Sequence, residues 1–140
     1  MPNVIAALAG LLLAATAPVR PPADTTQIVL VATTDVHGRA MAWDYERDLE
    51  APLGLVRAAT VVDSLRRLYP GRVVLLDVGD LIQGNAFATY FTRVAPQPRH
   101  PILALMNRMG YDAATPGNHE FNFGVDVLQD RNLGAAAAGQ

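Results

Sequence analysis

Residues 27–37, QIVLVATTDVH, combine the two features that decide the fold of this chain. The first part, Gln27 to Thr34, is a continuous apolar run rich in β-branched side chains, which predicts a buried strand. Asp35 and His37 follow it directly. Side chains two positions apart at a strand end lie on one face, so this carboxylate and this imidazole can converge on one divalent ion. A loop Asp that caps a turn beside an exposed His remains the alternative.

A strand followed by polar residues recurs twice along the chain. Arg72 to Val78 (RVVLLDV) predicts a second buried strand, which is followed by Gly79 and Asp80. Gly79 allows a sharp turn that leaves Asp80 at the edge of the sheet, where one carboxylate can bridge two ions. Tyr111 to Thr115 predicts a weak short strand, and GNHE at 117–120 comes after it.

Helical patterns separate these strands. Leu53 to Tyr69 places its apolar side chains at helical spacing, and Pro101 to Met109 is a short segment with proline in its first turn. Residues 123–130 are predicted to begin another helix. Strands that alternate with helices imply right-handed crossovers and a parallel sheet, so the predicted fold class is α/β. Ligands bind such sheets at the carboxyl ends of the strands, where all three polar groups fall.

The third polar group contains three side chains with different predicted roles. Asn118 offers a neutral carbonyl oxygen to a second ion. His119 is its neighbour and points elsewhere, which suits a residue near the substrate but off the metal. Glu120 is predicted to hold the loop by accepting hydrogen bonds from backbone amides. A Gly-Asn turn with a solvated His and Glu is the alternative.

The three groups together predict a centre for two divalent metal ions, for which Mn, Zn, Fe, Ca or Mg would all be compatible with oxygen and imidazole ligands. The predicted ligands are Asp35, His37, Asp80 and Asn118.

Other residues near these groups carry weaker predictions. Asp77 is interpreted as structural, hydrogen-bonded to a loop amide, and Gly84 indicates a close approach of the backbone to the site. His100 stands before a proline and is predicted to lie on the surface. Residues 38–52 are predicted to be a loop, in which residues 43–45 (Trp-Asp-Tyr) either line a substrate pocket or pack on the sheet edge.

Composition bounds the rest of the chain. Its 140 residues allow one domain, and the net charge of −2 gives no electrostatic footprint for a nucleic-acid polymer. Cysteine is absent, which excludes disulfides and thiolate metal sites.

The ends of the chain are predicted to lie outside the fold. Residues 1–17 contain an uncharged apolar run that is too short to span a membrane, which needs about 20 residues, and that fits a secretory signal. A buried or membrane-anchoring helix is the alternative. Residues 18–26 are interpreted as a stiff linker, 27–133 as the folded part and 134–140 as a low-complexity tail.

On these residues the chain resembles the amino-terminal part of a metallophosphoesterase (calcineurin-like) domain, within the exported 5′-nucleotidase and 2′,3′-cyclic-nucleotide phosphodiesterase group. The segments that carry the resemblance are IVLVATTDVHG at 28–38, LLDVGDLIQGN at 75–85 and YDAATPGNHEFNFG at 111–124. The resemblance implies part of a four-layer α/β/β/α sandwich. It also implies that His119 protonates the leaving alkoxide or stabilises the charged transition state.

The finer resemblance is to the 2′,3′-cyclic-nucleotide 2′-phosphodiesterase/3′-nucleotidase branch, through residues 43–45, 80–84, 100–101 and Asn122. In 5′-nucleotidases the position of Asn122 is commonly an Asp that orients the catalytic His, and the resemblance implies that Asn122 can still hydrogen-bond His119. It implies a nucleotide substrate, a periplasmic or extracellular location, and further metal ligands from a segment beyond Gln140. Two alternatives stay open: a 5′-nucleotidase or sugar-nucleotide hydrolase, and a non-catalytic metal-binding or interaction module.

Overall fold

The computed structural model describes residues 25–96 and 99–130, apart from the side chains of residues 129 and 130. The predicted signal (1–17), the predicted tail (134–140) and most of the predicted linker (18–26) lie outside the described residues, so their assignments remain predictions.

In the described part of the chain, three parallel strands form the main sheet. Strand β1 (Val29–Thr33) pairs with β4 (Val73–Asp77), and β4 pairs with β5 (Ala113–Ala114). Thr33 lies opposite Asp77, which brings the last residues of β1 and β4 to the same edge. The predicted α/β class with a parallel sheet is confirmed, although each strand is shorter than the predicted segment.

Strand β1 is less buried than predicted. Its residues alternate between half-buried and exposed, and Leu30 is 71 % exposed. The apolar run indicated burial on both sides, but in the described part of the chain only the face that carries Val31 packs against the core.

The segment predicted as a loop contains a short antiparallel pair, β2 (Trp43–Asp44) with β3 (Leu49–Glu50). The carboxylate of Asp44 accepts hydrogen bonds from the backbone amides of Glu46 and Arg47, at 3.0 and 3.2 Å. This aspartate turn reverses the chain. The prediction was wrong here because the turn has no Asn-Gly or Asp-Gly pair, the usual hairpin signal.

The described residues contain four α-helices, and none of these is long and apolar enough to cross a membrane. Their bounds are α1 (Leu55–Leu68), α2 (Ala86–Thr89), α3 (Pro101–Met109) and α4 (Val125–Asp130). The predicted helix 101–109 is confirmed residue for residue. Helix α2 and the π-helix that continues it, Tyr90–Val94, are absent from the prediction. A 3₁₀-helix, His119–Phe123, precedes α4.

Helices α1 and α3 supply most of the core, and they pack together with buried residues of β4 and of the loop that follows it. The largest fully buried apolar side chains of the core are Leu55, Val62, Leu75, Leu81, Ile82, Ile102 and Leu103. The core therefore continues directly into residues 81 and 82, which fixes the position of Asp80 beside them.

His100 was predicted to lie on the surface, and this prediction was wrong. The residue is 1 % exposed and caps α3, because its Nδ1 accepts a hydrogen bond from the backbone amide of Ile102 at 3.3 Å. Its Nε2 lies 3.4 Å from Oγ1 of Thr92 in the π-helix. A proline after a histidine marks a helix start, but burial depends on the π-helix, which the sequence did not reveal.

Candidate metal centre

The loops after β1 and β4 run side by side at the carboxyl edge of the sheet. The amide of Asp35 donates to the carbonyl of Gly79 at 3.1 Å, and the amide of His37 donates to the carbonyl of Asp80 at 2.8 Å. Backbone hydrogen bonds therefore place the first two predicted polar groups next to each other.

The third group joins them through Asp80 and through two glycines. The carboxylate of Asp80 accepts a hydrogen bond from the backbone amide of His119 at 2.9 Å. Gly79 has a φ of +96°, and a side chain on it would collide with the backbone of Gly117. Both glycines are needed because the two loops touch backbone to backbone at this point.

Glu120 connects the loop after β4 to the loop after β5 through hydrogen bonds. It is fully buried, and its carboxylate accepts hydrogen bonds from the amides of Asp80, Leu81 and Gly117 at 2.7, 2.5 and 2.6 Å. The amide of Ile82 adds a fourth at 3.2 Å. The predicted structural role of Glu120 is confirmed.

Three side chains converge in a group that could hold a metal ion. His37, Asp80 and His119 each offer one ligand atom, and these atoms lie within 4.8 Å of one another. Asp35 is adjacent to this group, since its Oδ1 lies 3.6 Å from Nε2 of His37. Asn118 is exposed and immediately precedes the 3₁₀-helix. His119 was predicted to lie off the metal, but its imidazole is close enough to His37 and Asp80 to act as a metal ligand itself.

Backbone strain coincides with the centre. In the described part of the chain, four residues other than glycine have positive φ, and three of them are Asp35, His37 and Asp80, at 53°, 48° and 62°. Such conformations are uncommon outside glycine and cluster at functional sites. The fourth, Asp48, lies in the turn between β2 and β3. Convergent carboxylate and imidazole groups on a fixed backbone fit a divalent cation.

Asp77 lies beneath the centre in the role predicted for it. Its Oδ1 accepts the amide of Gly79 at 2.8 Å, and its Oδ2 accepts the hydroxyl of Thr33 at 2.5 Å. The same hydroxyl lies 2.8 Å from the hydroxyl of Tyr111. Burial raises the pKa of Asp77, as do the nearby carboxylates of Glu120 and Asp35, while its two hydrogen bonds oppose the shift. Burial also raises the pKa of Tyr111.

The surroundings of His119 include one residue that sequence analysis missed. Nδ1 of His119 lies 2.5 Å from Oε1 of Gln83 and 2.9 Å from Nδ2 of Asn122. The contact with Asn122 was anticipated, whereas the contact with Gln83 was not. Gly84 next to it was predicted to approach the site, and its backbone packs against the imidazole of His37.

The aromatic residues after the first polar group lie to one side. The ring of Tyr45 stacks on Phe87 of α2, with 6.2 Å between centroids, and Trp43 is 38 % exposed. Tyr45 thus packs on a helix that the sequence did not predict. An open groove of about 420 Å³ lies between the loop at Asp35 and the amino terminus of α1, and Arg39 lines it.

The fold and the centre define an α/β protein with a candidate divalent-metal centre at the carboxyl edge of its parallel sheet. Residues 28–135 match the Calcineurin-like phosphoesterase family, and the chain belongs to that family. This confirms the resemblance drawn from the three motif segments.

Three relatives are informative. The chain is 40 % identical over 120 residues to the trifunctional nucleotide phosphoesterase protein YfkN of Bacillus subtilis, covering 81 % of the chain and 8 % of that protein. It is 36 % identical over 116 residues to the 2′,3′-cyclic-nucleotide 2′-phosphodiesterase/3′-nucleotidase of Yersinia enterocolitica (81 % and 18 %), and 36 % identical over 125 residues to the 5′-nucleotidase of Rattus norvegicus (86 % and 20 %).

The fold comparison agrees with the sequence comparison. The crystal structure of the calcineurin-like phosphoesterase YfkN from Bacillus subtilis matches with a TM-score of 0.69 at 40 % identity, covering 74 % of this chain and 33 % of that one. Measured against the full-length YfkN, Yersinia and rat proteins, the chain spans 8 %, 18 % and 20 % of their length.

Proposed function

We propose that this chain supplies the amino-terminal part of a centre that hydrolyses nucleotide phosphoesters with two divalent metal ions, acting as a 2′,3′-cyclic-nucleotide 2′-phosphodiesterase/3′-nucleotidase. The observation that carries the proposal is the convergence of His37, Asp80 and His119 at one edge of the sheet, with Asp35 beside them. The names of two of the relatives support the substrate class.

Each predicted residue has a proposed role. Asp35 and His37 would hold one ion, Asp80 would serve both ions, and Asn118 would supply an amide oxygen to the second ion. When bound, divalent ions lower the pKa of water and neutralise charge on phosphoryl oxygens. His119 gives a proton to the leaving oxygen, a role that contributes about 10²–10⁴-fold to the rate.

The proposal extends to the rest of the protein. Residues 1–17 direct export to the periplasm or the extracellular space, and residues 27–133 belong to the phosphoesterase domain. Further ligands and the grip on the nucleotide come from a segment beyond Gln140. What supports the contribution of a further segment is that the chain covers only 8 % and 18 % of two of its relatives.

Activity is tested on the longest product of the gene that contains this chain, loaded with Mn²⁺ and given 2′,3′-cyclic AMP, 3′-AMP and 5′-AMP in separate assays. We expect hydrolysis of the first two and slower hydrolysis of the third. A preference for 5′-AMP would favour the second candidate, a 5′-nucleotidase, which the similarity to the rat enzyme supports. No release of phosphate or of a 3′-nucleotide from any of the three would indicate the non-catalytic module.

Metal binding separates the roles of Asp80 and His119. Asp80→Asn keeps an oxygen that can accept the amide of His119 but removes the charge, so we expect Mn²⁺ affinity to fall by at least about 10–100-fold in calorimetry. His119→Ala should reduce turnover much more than Mn²⁺ affinity. The exposed Asp126→Asn is the matched control for a lost carboxylate. Undiminished Mn²⁺ binding by Asp80→Asn would contradict the bridging role, and an equal loss of both properties in His119→Ala would make that residue a ligand.

A further inference from the structure

We propose that Gln83 is the positioning residue for both imidazoles of the centre: its backbone carbonyl orients His37 and its side-chain amide orients His119. The importance of this for turnover rests on the proposed function, but the hydrogen bonds themselves do not. Gln83 is three residues past Asp80, so one short segment carries a predicted ligand and the group that orients the two histidines.

The backbone carbonyl of Gln83 fixes the ring of His37. Nδ1 of His37 lies 2.8 Å from that carbonyl oxygen. A carbonyl oxygen only accepts, so Nδ1 carries a proton, and in the neutral ring Nε2 then keeps its lone pair. Nε2 is also the atom that faces Oδ1 of Asp35 at 3.6 Å. The ring therefore presents its free nitrogen toward the other predicted ligand of the same ion.

Gly84 makes this approach possible. A Cβ at Gly84 would lie 2.7 Å from Nδ1 of His37, and the glycine has a φ of +124°. The backbone of residues 83 and 84 can therefore pack against the ring only if residue 84 has no side chain.

The side chain of Gln83 fixes the ring of His119 in the same sense. Oε1 of Gln83 lies 2.5 Å from Nδ1 of His119 and 2.6 Å from Nδ2 of Asn122. Since Oε1 only accepts, both nitrogens donate to it, and the 2.9 Å between them separates two donors that share one acceptor. Nε2 of His119 is left as the nitrogen that takes up or gives a proton.

Reversing the amide of Gln83 would not give an equivalent network. Its NH₂ group would then face the NH₂ group of Asn122, donor against donor, unless Asn122 were reversed as well. Two coupled reversals would move the proton of His119 to Nε2. The tautomer of His119 therefore distinguishes the two arrangements.

Gln83 is held in place by its neighbours. The carbonyl of Ile82 accepts the hydroxyl of Thr92 at 3.1 Å, and the amide of Ile82 donates to buried Glu120 at 3.2 Å. On the other side, Asn85 caps α2 by accepting the amide of Ala88 at 2.8 Å. An orienting group that is itself fixed lowers the freedom of the side chains it contacts.

Nitrogen NMR of the metal-free chain, labelled with ¹⁵N-histidine and kept at a pH where the rings are neutral, tests the proposal directly. We expect long-range ¹H–¹⁵N spectra to show the Nδ1–H tautomer for both His37 and His119. In Gln83→Met, which retains the length and the backbone carbonyl but not Oε1, His119 should lose its fixed tautomer while His37 keeps its own. Gln83→Glu restores the acceptor and should restore the Nδ1–H tautomer of His119.

The controls lie in the same chain. Gln27→Met, at an exposed position outside the site, should leave all histidine signals unchanged. Circular dichroism rather than His100 reports on folding, because buried His100 lies against the hydroxyl of Thr92, which donates to the carbonyl of Ile82 next to Gln83. If Gln83→Met loses its helical circular dichroism signal, the variant has unfolded, and the tautomers of the parent chain and of Gln83→Glu decide.

The proposal is overturned if His119 is in the Nε2–H tautomer in the parent chain, or if Gln83→Met leaves its signals unchanged. Neither outcome requires a metal or a substrate, so a failure of the proposed function would be seen separately in the nucleotide assays. In the longest gene product, Gln83→Met should lower kcat by about 10–100-fold with little change in KM. A change confined to KM would assign Gln83 to substrate binding instead.

Discussion

One buried carboxylate joins loops that are distant in the sequence. Glu120 accepts amides from residues 80–82, which lie 38 to 40 positions earlier, and from Gly117. A carboxylate has about four acceptor sites, and four donors converge on this one. The geometry of the centre therefore depends on a residue that has no proposed contact with metal or substrate.

Glu120→Gln tests this dependence. The amide presents one NH₂ group to donors that need an acceptor, so at least one buried N–H loses its partner. We expect the free energy of unfolding to fall by about 1.5–3 kcal/mol, the range for hydrogen bonds to charged groups. Urea unfolding measures the change, and Glu46→Gln, at an exposed position, is the matched control. Equal stability of the two variants would show that the loops do not rely on this carboxylate.

Arg66 links two helices at the scale of whole elements. Its Nη1 and Nη2 donate to the carbonyls of Met109 and Gly110, at 2.5 and 2.7 Å. Carbonyls at a helix carboxyl terminus have no partner within the helix, so α1 satisfies the end of α3. This contact fixes where the chain leaves α3 and enters β5.

Arg66→Met retains the aliphatic stem and removes both hydrogen bonds. We expect a loss of about 1–2 kcal/mol in the free energy of unfolding, because the donors are charged but partly exposed to solvent. Arg67→Met is the control, since Arg67 is exposed and its hydrogen bond among the described residues goes to Ser64 of its own helix. A chemical-denaturation series on both variants would contradict the assignment if Arg67→Met were as destabilising as Arg66→Met.

Elements that depend on tertiary packing were the ones that escaped prediction. Residues 86–94 (AFATYFTRV) are rich in aromatic and β-branched side chains, which have low helix propensity. In the structure Asn85 caps the segment, Ala88 is buried, and the rings of Phe87 and Phe91 meet at 4.9 Å. Packing overrides propensity here, and the short hairpin of β2 and β3 escaped for a similar reason.

At the scale of the molecule, a partly buried polar network ties the sheet together. Asp77 on β4 contacts Thr33 on β1, and Thr33 contacts Tyr111 just before β5. The raised pKa of Asp77 means that the folded state holds this proton more tightly than the unfolded chain does. The contribution of Asp77 to stability is therefore greatest at low pH and decreases as the pH rises above the ordinary value of 3.8.

Asp77→Asn should remove this pH dependence, because an amide does not titrate and can still accept from Gly79 and donate to Thr33. We expect the urea midpoint of the variant to rise relative to that of the parent as the pH increases from about 4 to about 7. The exposed Asp63→Asn serves as the control, and its midpoints should follow those of the parent. A constant difference between parent and Asp77→Asn across this range would show that Asp77 titrates alike in the folded and unfolded states.

The sequence by itself determined the α/β class, the parallel order of strands and the edge at which Asp35, His37, Asp80 and His119 meet. It could do so because strand periodicity and the residues directly after each strand are local properties, and parallel strands bring their carboxyl ends together. Only the tertiary structure decided that Gln83 contacts both imidazoles, that His100 is buried and that one face of β1 is exposed among the described residues. These features depend on which distant side chains pack against one another, and no local pattern in the chain encodes that.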